Sequence, residues 1–246
     1  MKKMLLALGL FLCCHSLASA QEKTFRFGVQ ASPTWSWMNT TDKRIDGLGS
    51  NWGLKLGMLG EIYFAENYAI VSGLGFGFNQ GGTLQNSYPM AKLWKDGDLS
   101  DEKYRVVGPD AKLHYRLRYI EIPLGLKMRG GTGEDNPLKF YAEIPIFTLG
   151  FLTKALGDIR GTQDQNVEDE NIRDDVKGIS LSWGLGGGLE YEFASSATAV
   201  VGLSFQQQFT DVTGTGQVVK TTGADFVDDK SKGTIGLLAL RVAIFF

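Results

Sequence analysis

Residues 119–128 read Tyr-Ile-Glu-Ile-Pro-Leu-Gly-Leu-Lys-Met. Apolar side chains alternate strictly with other residue types here, which predicts an extended strand because successive side chains point to opposite faces. Residues 141–146 read Tyr-Ala-Glu-Ile-Pro-Ile and repeat the pattern after a glycine-rich, turn-forming segment. The two stretches are therefore predicted to be the two arms of one hairpin.

In both arms a carboxylate and a proline occupy the face opposite the apolar one. They are Glu121 with Pro123, and Glu143 with Pro145. Lipid on the outside and a polar lumen on the inside would accommodate both faces, as in an outer-membrane barrel. Because proline removes a donor from the hydrogen-bond ladder, a local bulge or kink is predicted at each proline.

The first residues are typical of a secretory signal peptide. A charged start, a short apolar run and an Ala-Ser-Ala site predict a signal peptide over residues 1–20, cleaved between Ala20 and Gln21. The apolar run is too short for a membrane helix, which needs about 20 residues. Residues 21–246 are then predicted to form one barrel domain.

Composition excludes several classes of protein. The only cysteines are Cys13 and Cys14, in the signal segment, so the mature chain has no thiol for disulfides, catalysis or metal binding. The formal net charge of −2 gives no indication of nucleic-acid binding. Glycine makes up 32 of 246 residues, well above the usual share of about 7%. Beyond the signal no apolar run approaches 18 residues, so no membrane-spanning helix is predicted.

Period-two alternation recurs along the chain. Counting the two arms above, it predicts about eight strands, the others near residues 24–32, 51–64, 68–79, 179–193, 197–210 and 238–246. Connections near 66, 134 and 195 are short, whereas the remaining ones, including polar segments up to about Ser50, over 80–112 and over 154–175, are longer. Short and long connections alternate in outer-membrane barrels. The prediction is an all-β, eight-stranded antiparallel up-and-down transmembrane β-barrel in the bacterial outer membrane.

A water-soluble barrel of the lipocalin type is the competing architecture, and it would turn the apolar faces inward around a small ligand. The small barrel interior disfavours it, because eight strands leave room only for their own side chains. Large apolar residues outside and small or polar residues inside fit that geometry better.

If the apolar faces contact lipid, acids and bases are mixed inside. Buried charges without partners are costly, so these residues are predicted to pair across a plugged lumen. A sharper interpretation is an ion path, or acid–base chemistry by Glu121 and Glu143, although no nucleophile or metal-ligand set accompanies them. The predicted lumen charge cluster comprises Arg26, Lys55, Glu61, Glu121, Lys127, Glu143, Glu190, Glu192 and Arg241.

His114 is the only histidine of the mature chain and lies at the outer end of the predicted fourth strand. It raises the alternative of a membrane-embedded lipid or peptide hydrolase, although a lone histidine at a strand end is more often a surface residue. The acidic run over 164–175 lacks the glycine and spacing of an EF-hand loop, so a solvated loop is expected. The sequence predicts neither an enzyme nor a bound metal or cofactor.

Residues 118–127, Arg-Tyr-Ile-Glu-Ile-Pro-Leu-Gly-Leu-Lys, resemble the hallmark of the PorT-like outer-membrane β-barrel family of Bacteroidetes. The terminal Phe246 and the glycine-rich alternating strands agree with it. The resemblance implies an eight-stranded barrel in the outer membrane. Its founding member is tied to the type IX protein secretion system, and most members have no assigned activity.

Three functions follow for testing. The first is a monomeric structural or interaction barrel that contacts outer-membrane lipid and binds envelope or secretion proteins through its long loops or its turns. It would be an accessory to protein secretion or envelope assembly. The second is a narrow channel or a small-ligand-binding barrel. The third is the hydrolase that depends on His114.

Overall fold

The computed structural model describes residues 25–131, 136–161, 165–194 and 197–246. The predicted signal peptide, with its cleavage site between Ala20 and Gln21, lies outside these residues. The strands are β1 (Phe25–Thr40), β2 (Ile45–Ala65), β3 (Tyr68–Asn86), β4 (Met90–Lys92), β5 (Lys112–Gly130), β6 (Leu138–Arg160), β7 (Asn166–Asn171), β8 (Ile179–Ala194), β9 (Ala197–Gln208), β10 (Gln217–Val219), β11 (Val227–Asp228) and β12 (Gly233–Phe245).

Eight long strands of the described residues form a closed antiparallel ring in the order β1-β2-β3-β5-β6-β8-β9-β12. The first and last strands close it, with Val29 opposite Ile244. The hairpin predicted from the two Glu-Ile-Pro stretches exists as the β5–β6 pair, in which Lys127 lies opposite Glu143. The predicted eight-stranded barrel is confirmed. Within the same residues, no helix is long and apolar enough to span a bilayer.

Near the end at which β1 begins and β12 ends, the outer surface of the barrel is apolar, and we call this surface the apolar belt. A lipocalin-type barrel would instead turn these side chains into its interior. We call the end at which β1 begins and β12 ends the terminal end, and the opposite one the loop end. A girdle of aromatic side chains surrounds each end of the apolar belt, as in membrane barrels. The loop-end girdle consists of Trp35, Trp52, Phe78, Phe151, Trp183 and Phe205, and the terminal-end girdle includes Phe25, Phe64, Tyr68, Phe140, Tyr191 and Phe246.

Strand β5 reverses its sidedness along its length. Odd-numbered residues face inward throughout, but they are Glu121 and Lys127 toward the terminal end and apolar Leu113 and Leu117 toward the loop end. The even-numbered residues change in the opposite sense, from lipid-facing Ile120 to polar residues. The part of the barrel toward the loop end, the upper barrel, therefore lies in water and has an apolar interior, as in a soluble protein. The part toward the terminal end, the lower barrel, has a polar interior.

An apolar core fills the loop end. Residues 87–111, which we call the loop-end cap, fold over the barrel mouth and insert Trp94, only 1% exposed, among the upper strands. Its ring lies edge-on to Tyr115, with 5.3 Å between ring centroids. Gly157 makes room for it, since a Cβ there would lie 2.4 Å from Trp94 Cη2. The prediction of a polar connection over 80–112 was wrong, because β3 continues to Asn86 and the rest is packed.

Two other loop predictions were wrong for the same reason. The first connection is a tight turn over residues 41–44 and not a loop reaching Ser50, and β1 runs through Pro33 without interruption. Within the charged segment 154–175, residues 154–160 belong to β6 and residues 166–171 form β7, which pairs with β6. These strand segments lie beyond the membrane, where their outward side chains contact water. Because those side chains are polar, the composition of the segments resembles that of a loop.

The two prolines behave differently. A register shift between Glu143 and Ile146 contains Pro145, as predicted. At Pro123 the prediction of a bulge was wrong, because β5 keeps its register with β3 from Leu124 to Glu121. The ladder is interrupted there, and the Ser72 hydroxyl donates to the Pro123 carbonyl at 2.9 Å. A side chain thus replaces a backbone contact without moving the strand.

Candidate functional site

A buried ion network occupies the lumen at the terminal end. Lys127 Nζ lies 2.5 Å from Glu61 Oε1 and also contacts Glu190 Oε1. Arg26 Nη1 lies 3.5 Å from Glu61 Oε2 and 3.6 Å from Glu190 Oε2. The Tyr63 hydroxyl donates to Glu61 at 2.8 Å. Opposite charges from four strands, β1, β2, β5 and β8, therefore close this end of the lumen.

A second set of pairs crosses the middle of the lumen. Lys55 Nζ lies 2.7 Å from Glu121 Oε2, and Gln80 donates to the other oxygen of Glu121 at 2.5 Å. On another part of the wall Arg241 Nη1 lies 2.5 Å from Glu143 Oε2. A cavity of about 60 Å³, enough for a few water molecules, separates the two pairs.

The structure brings eight of the nine predicted lumen residues into these two networks. Glu192 is the exception, because it lies at the rim of the terminal end, 41% exposed along its side chain, 3.3 Å from Lys139. It shares the inward face of β8 with Glu190 but lies past the apolar belt. Residues that sequence reasoning missed include Arg129, 3.7 Å from Glu190 Oε2. Its odd number, shared with Lys127, was the available signal.

Two carboxylates fasten the loop-end cap. The backbone amide of Ser100 donates to Glu170 Oε2 at 2.7 Å, and its hydroxyl contacts the other oxygen. The Asp96 amide donates to Asp175 Oδ1 at 3.0 Å. Both carboxylates are buried, although they belong to the acidic run over 164–175 that was predicted to be a solvated loop. Asp164 of this run lies outside the described residues. Within the described ranges, no group of three or more His, Cys, Asp or Glu could hold a metal ion.

Asp175 gives the cap a dependence on pH. Burial raises its pKa to about 6, and the carboxylate of Asp96 adds to the increase, while backbone amides and Lys95 oppose it. The folded value lies above the ordinary 3.8, so the folded cap binds the proton more tightly than the open one. The contribution of Asp175 to the stability of the folded cap is therefore fully present below about pH 4. As pH rises through about 6, this contribution, on the order of 3 kcal/mol, is lost.

Hydrogen exchange of residues 94–98 measured between pH 4 and 7, corrected for the intrinsic pH dependence of exchange, checks this expectation. Protection should decrease across the interval in the wild type, and Asp175→Asn should remove the slope. Asp101→Asn, at an exposed position in the same cap, should keep it. An unchanged slope in Asp175→Asn would show that another group titrates.

His114 lies on the wet outer wall near the loop end. Its Nδ1 is 2.8 Å from Thr83 Oγ1, and burial lowers its pKa. The neighbouring Asp158 accepts from Arg116 at 2.5 Å and from the amide of Asp169 at 2.9 Å, so its carboxylate is engaged elsewhere. Apart from the proximity of His114 and Asp158, the arrangement gives no support to the hydrolase interpretation.

The sequence comparisons identify the family. Residues 19–214 match the family model described as outer membrane protein beta-barrel domain. The chain belongs to this family. Together with the closed ring and its apolar belt, this membership places the protein in the outer membrane. The comparison with curated proteins gives no match.

Solved structures of outer-membrane barrels are similar in fold at low sequence identity. Neisserial surface protein A has 12% identity and a TM-score of 0.45, covering 89% of this chain and 95% of its own. OprG from Pseudomonas aeruginosa has 11% identity and a TM-score of 0.47, covering 92% and 97%. Ail of Yersinia pestis has 9% identity and a TM-score of 0.37, covering 91% and 100%.

Proposed function

We propose that the protein is a closed, non-conducting barrel with a structural or interaction role, whose rigid loop end faces outward from the cell. The observation that carries the proposal is the filling of the lumen. Ion pairs around Lys127 and Glu121 occupy the lower and middle levels, and the core around Trp94 occupies the upper level. Such an interior supports neither a channel nor a ligand chamber, and it leaves the outer surfaces for contacts.

The resemblance of residues 118–127 to the PorT-like family supports a finer proposal. The barrel, exported by a signal peptide cleaved after Ala20 and monomeric in the membrane, serves as an accessory to protein secretion or envelope assembly. Its partners are envelope or secretion proteins. The folded cap offers them a preformed surface, and binding to a preformed surface avoids the entropic cost of ordering a loop.

Planar-bilayer recording tests the closed lumen. Purified, heat-modifiable protein should give no discrete current steps under conditions in which an open porin conducts. Glu121→Gln should stay silent too, because the apolar core above it and the Lys127 network below it remain. Steps in the wild type whose size changes in Glu121→Gln would contradict the proposal and favour the narrow channel.

A further inference from the structure

A β-bulge marks the point where the β5–β6 pair leaves the membrane at the loop end. Arg118 lies opposite Lys154, whereas the next residue, Tyr119, lies opposite Leu152, so Thr153 is the extra residue. Thr153 and Lys154 are both exposed as a result. Bulges re-aim side chains, and this one turns Lys154 outward beside Arg118.

Both cations lie directly above the lipid-facing belt. Ile120 and Phe151 are register partners and belong to the belt, and Arg118 is the next outward residue after Ile120 on its strand. Arg173 extends the group sideways, since its Nη2 donates to the Leu152 carbonyl at 3.4 Å. We name Arg118, Lys154 and Arg173 the cation arc.

In the part of the chain that the structure describes, the cation arc has no acidic partner. Within the described residues no carboxylate lies within 4 Å of these three charges, although neighbouring cations are neutralised. Arg116 Nη2 lies 2.5 Å from Asp158 Oδ1, and Lys177 Nζ lies 2.5 Å from Asp211 Oδ2. The arc is thus a local positive surface on a chain whose net charge is −2.

We propose that the cation arc binds the phosphate of an anionic lipid headgroup in the leaflet that surrounds the loop end. The acyl chains of that lipid would continue over Ile120 and Phe151, so the site joins the membrane contact that the barrel already makes. Arginine suits the phosphate because its planar guanidinium donates two parallel hydrogen bonds. Each cation near a bilayer surface adds to the attraction, which salt weakens.

Spin-labelled lipids test the proposal. The barrel is reconstituted in phosphatidylcholine vesicles containing a trace of labelled phosphatidic acid or labelled phosphatidylcholine, and electron paramagnetic resonance gives the motionally restricted fraction of each. At low salt we expect about a threefold preference for phosphatidic acid, averaged over the lipid ring. The triple variant Arg118→Gln, Lys154→Gln and Arg173→Gln should show equal fractions.

The control removes three exposed cations at the loop tips, by Lys43→Gln, Lys220→Gln and Lys230→Gln. It should keep the preference of the wild type, and all proteins should shift on boiling in a gel, which shows that the barrel is closed. Absence of a preference in the wild type, its persistence in the arc variant, or an equal loss in the control would overturn the proposal.

Discussion

Lys127→Met is expected to destabilise the barrel by about 3–5 kcal/mol, because it leaves two carboxylates buried without their main partner. Glu61 and Glu190 are both fully buried, and both contact the same ammonium group. Removal of one partner of a buried pair costs more than removal of the whole group. Urea unfolding in detergent micelles gives the change in the free energy of unfolding. The folded fraction at each urea concentration is read from the difference in gel mobility between unboiled and boiled protein.

Two further variants give this measurement its meaning. Lys139→Met breaks the rim pair with Glu192, which is 25% and 41% exposed, and should cost no more than about 0.5 kcal/mol. The triple variant Lys127→Met, Glu61→Gln and Glu190→Gln removes all three charges and should recover a large part of the loss. If Lys127→Met unfolds at the urea concentration of the wild type, the network does not hold the terminal end together.

Trp94→Ala should open the loop-end cap while the barrel below stays closed. Deleting a buried tryptophan costs about 3–5 kcal/mol. The backbone amides of residues 87–111 should then exchange hydrogen roughly 100-fold faster or more. Hydrogen exchange with mass spectrometry measures this, with peptides of β1 and β12 as an internal reference.

Met90→Ala is the control in the same segment, because Met90 is 40% exposed. It should change exchange little. Gly157→Val approaches the same contact from the other side, since its side chain would occupy the space of the Trp94 ring, and it should also speed exchange of the cap. Equal protection in the wild type and in Trp94→Ala would mean that the hydrogen bonds to Glu170 and Asp175 hold the cap in place without the Trp94 side chain.

The lower half of the barrel could be predicted from sequence because one physical signal dominated it. Lipid imposes apolar residues on every second position, so the strands around Ile120 and Ile144 read clearly. The inward charges followed from the same alternation. Glu192 was misplaced because alternation gives the face of a residue and not its depth.

The strand segments beyond the membrane at the loop end escaped prediction because their apolar side chains point inward instead of outward. Leu113, Tyr115 and Leu117 alternate as regularly as the membrane residues, but their apolar face points inward and charged residues such as Arg116 face water. The neighbouring strand ends, residues 80–86 of β3 and 154–160 of β6, are polar in composition, and their polarity led to the prediction of loops there. The burial of Trp94 depends on contacts between distant segments that no local pattern records.

The reversal within β5 also sets how far the protein stands out from the bilayer. Sliding the barrel by one residue pair would bury Arg118 in hydrocarbon or expose the aromatic girdle, so its depth is fixed. From Ile120 to Lys112 the strand rises roughly 20 Å at the usual rise and tilt. The headgroup layer is only about 6 Å deep on each side. The cap therefore clears the lipid surface, and a partner can reach it without entering the membrane.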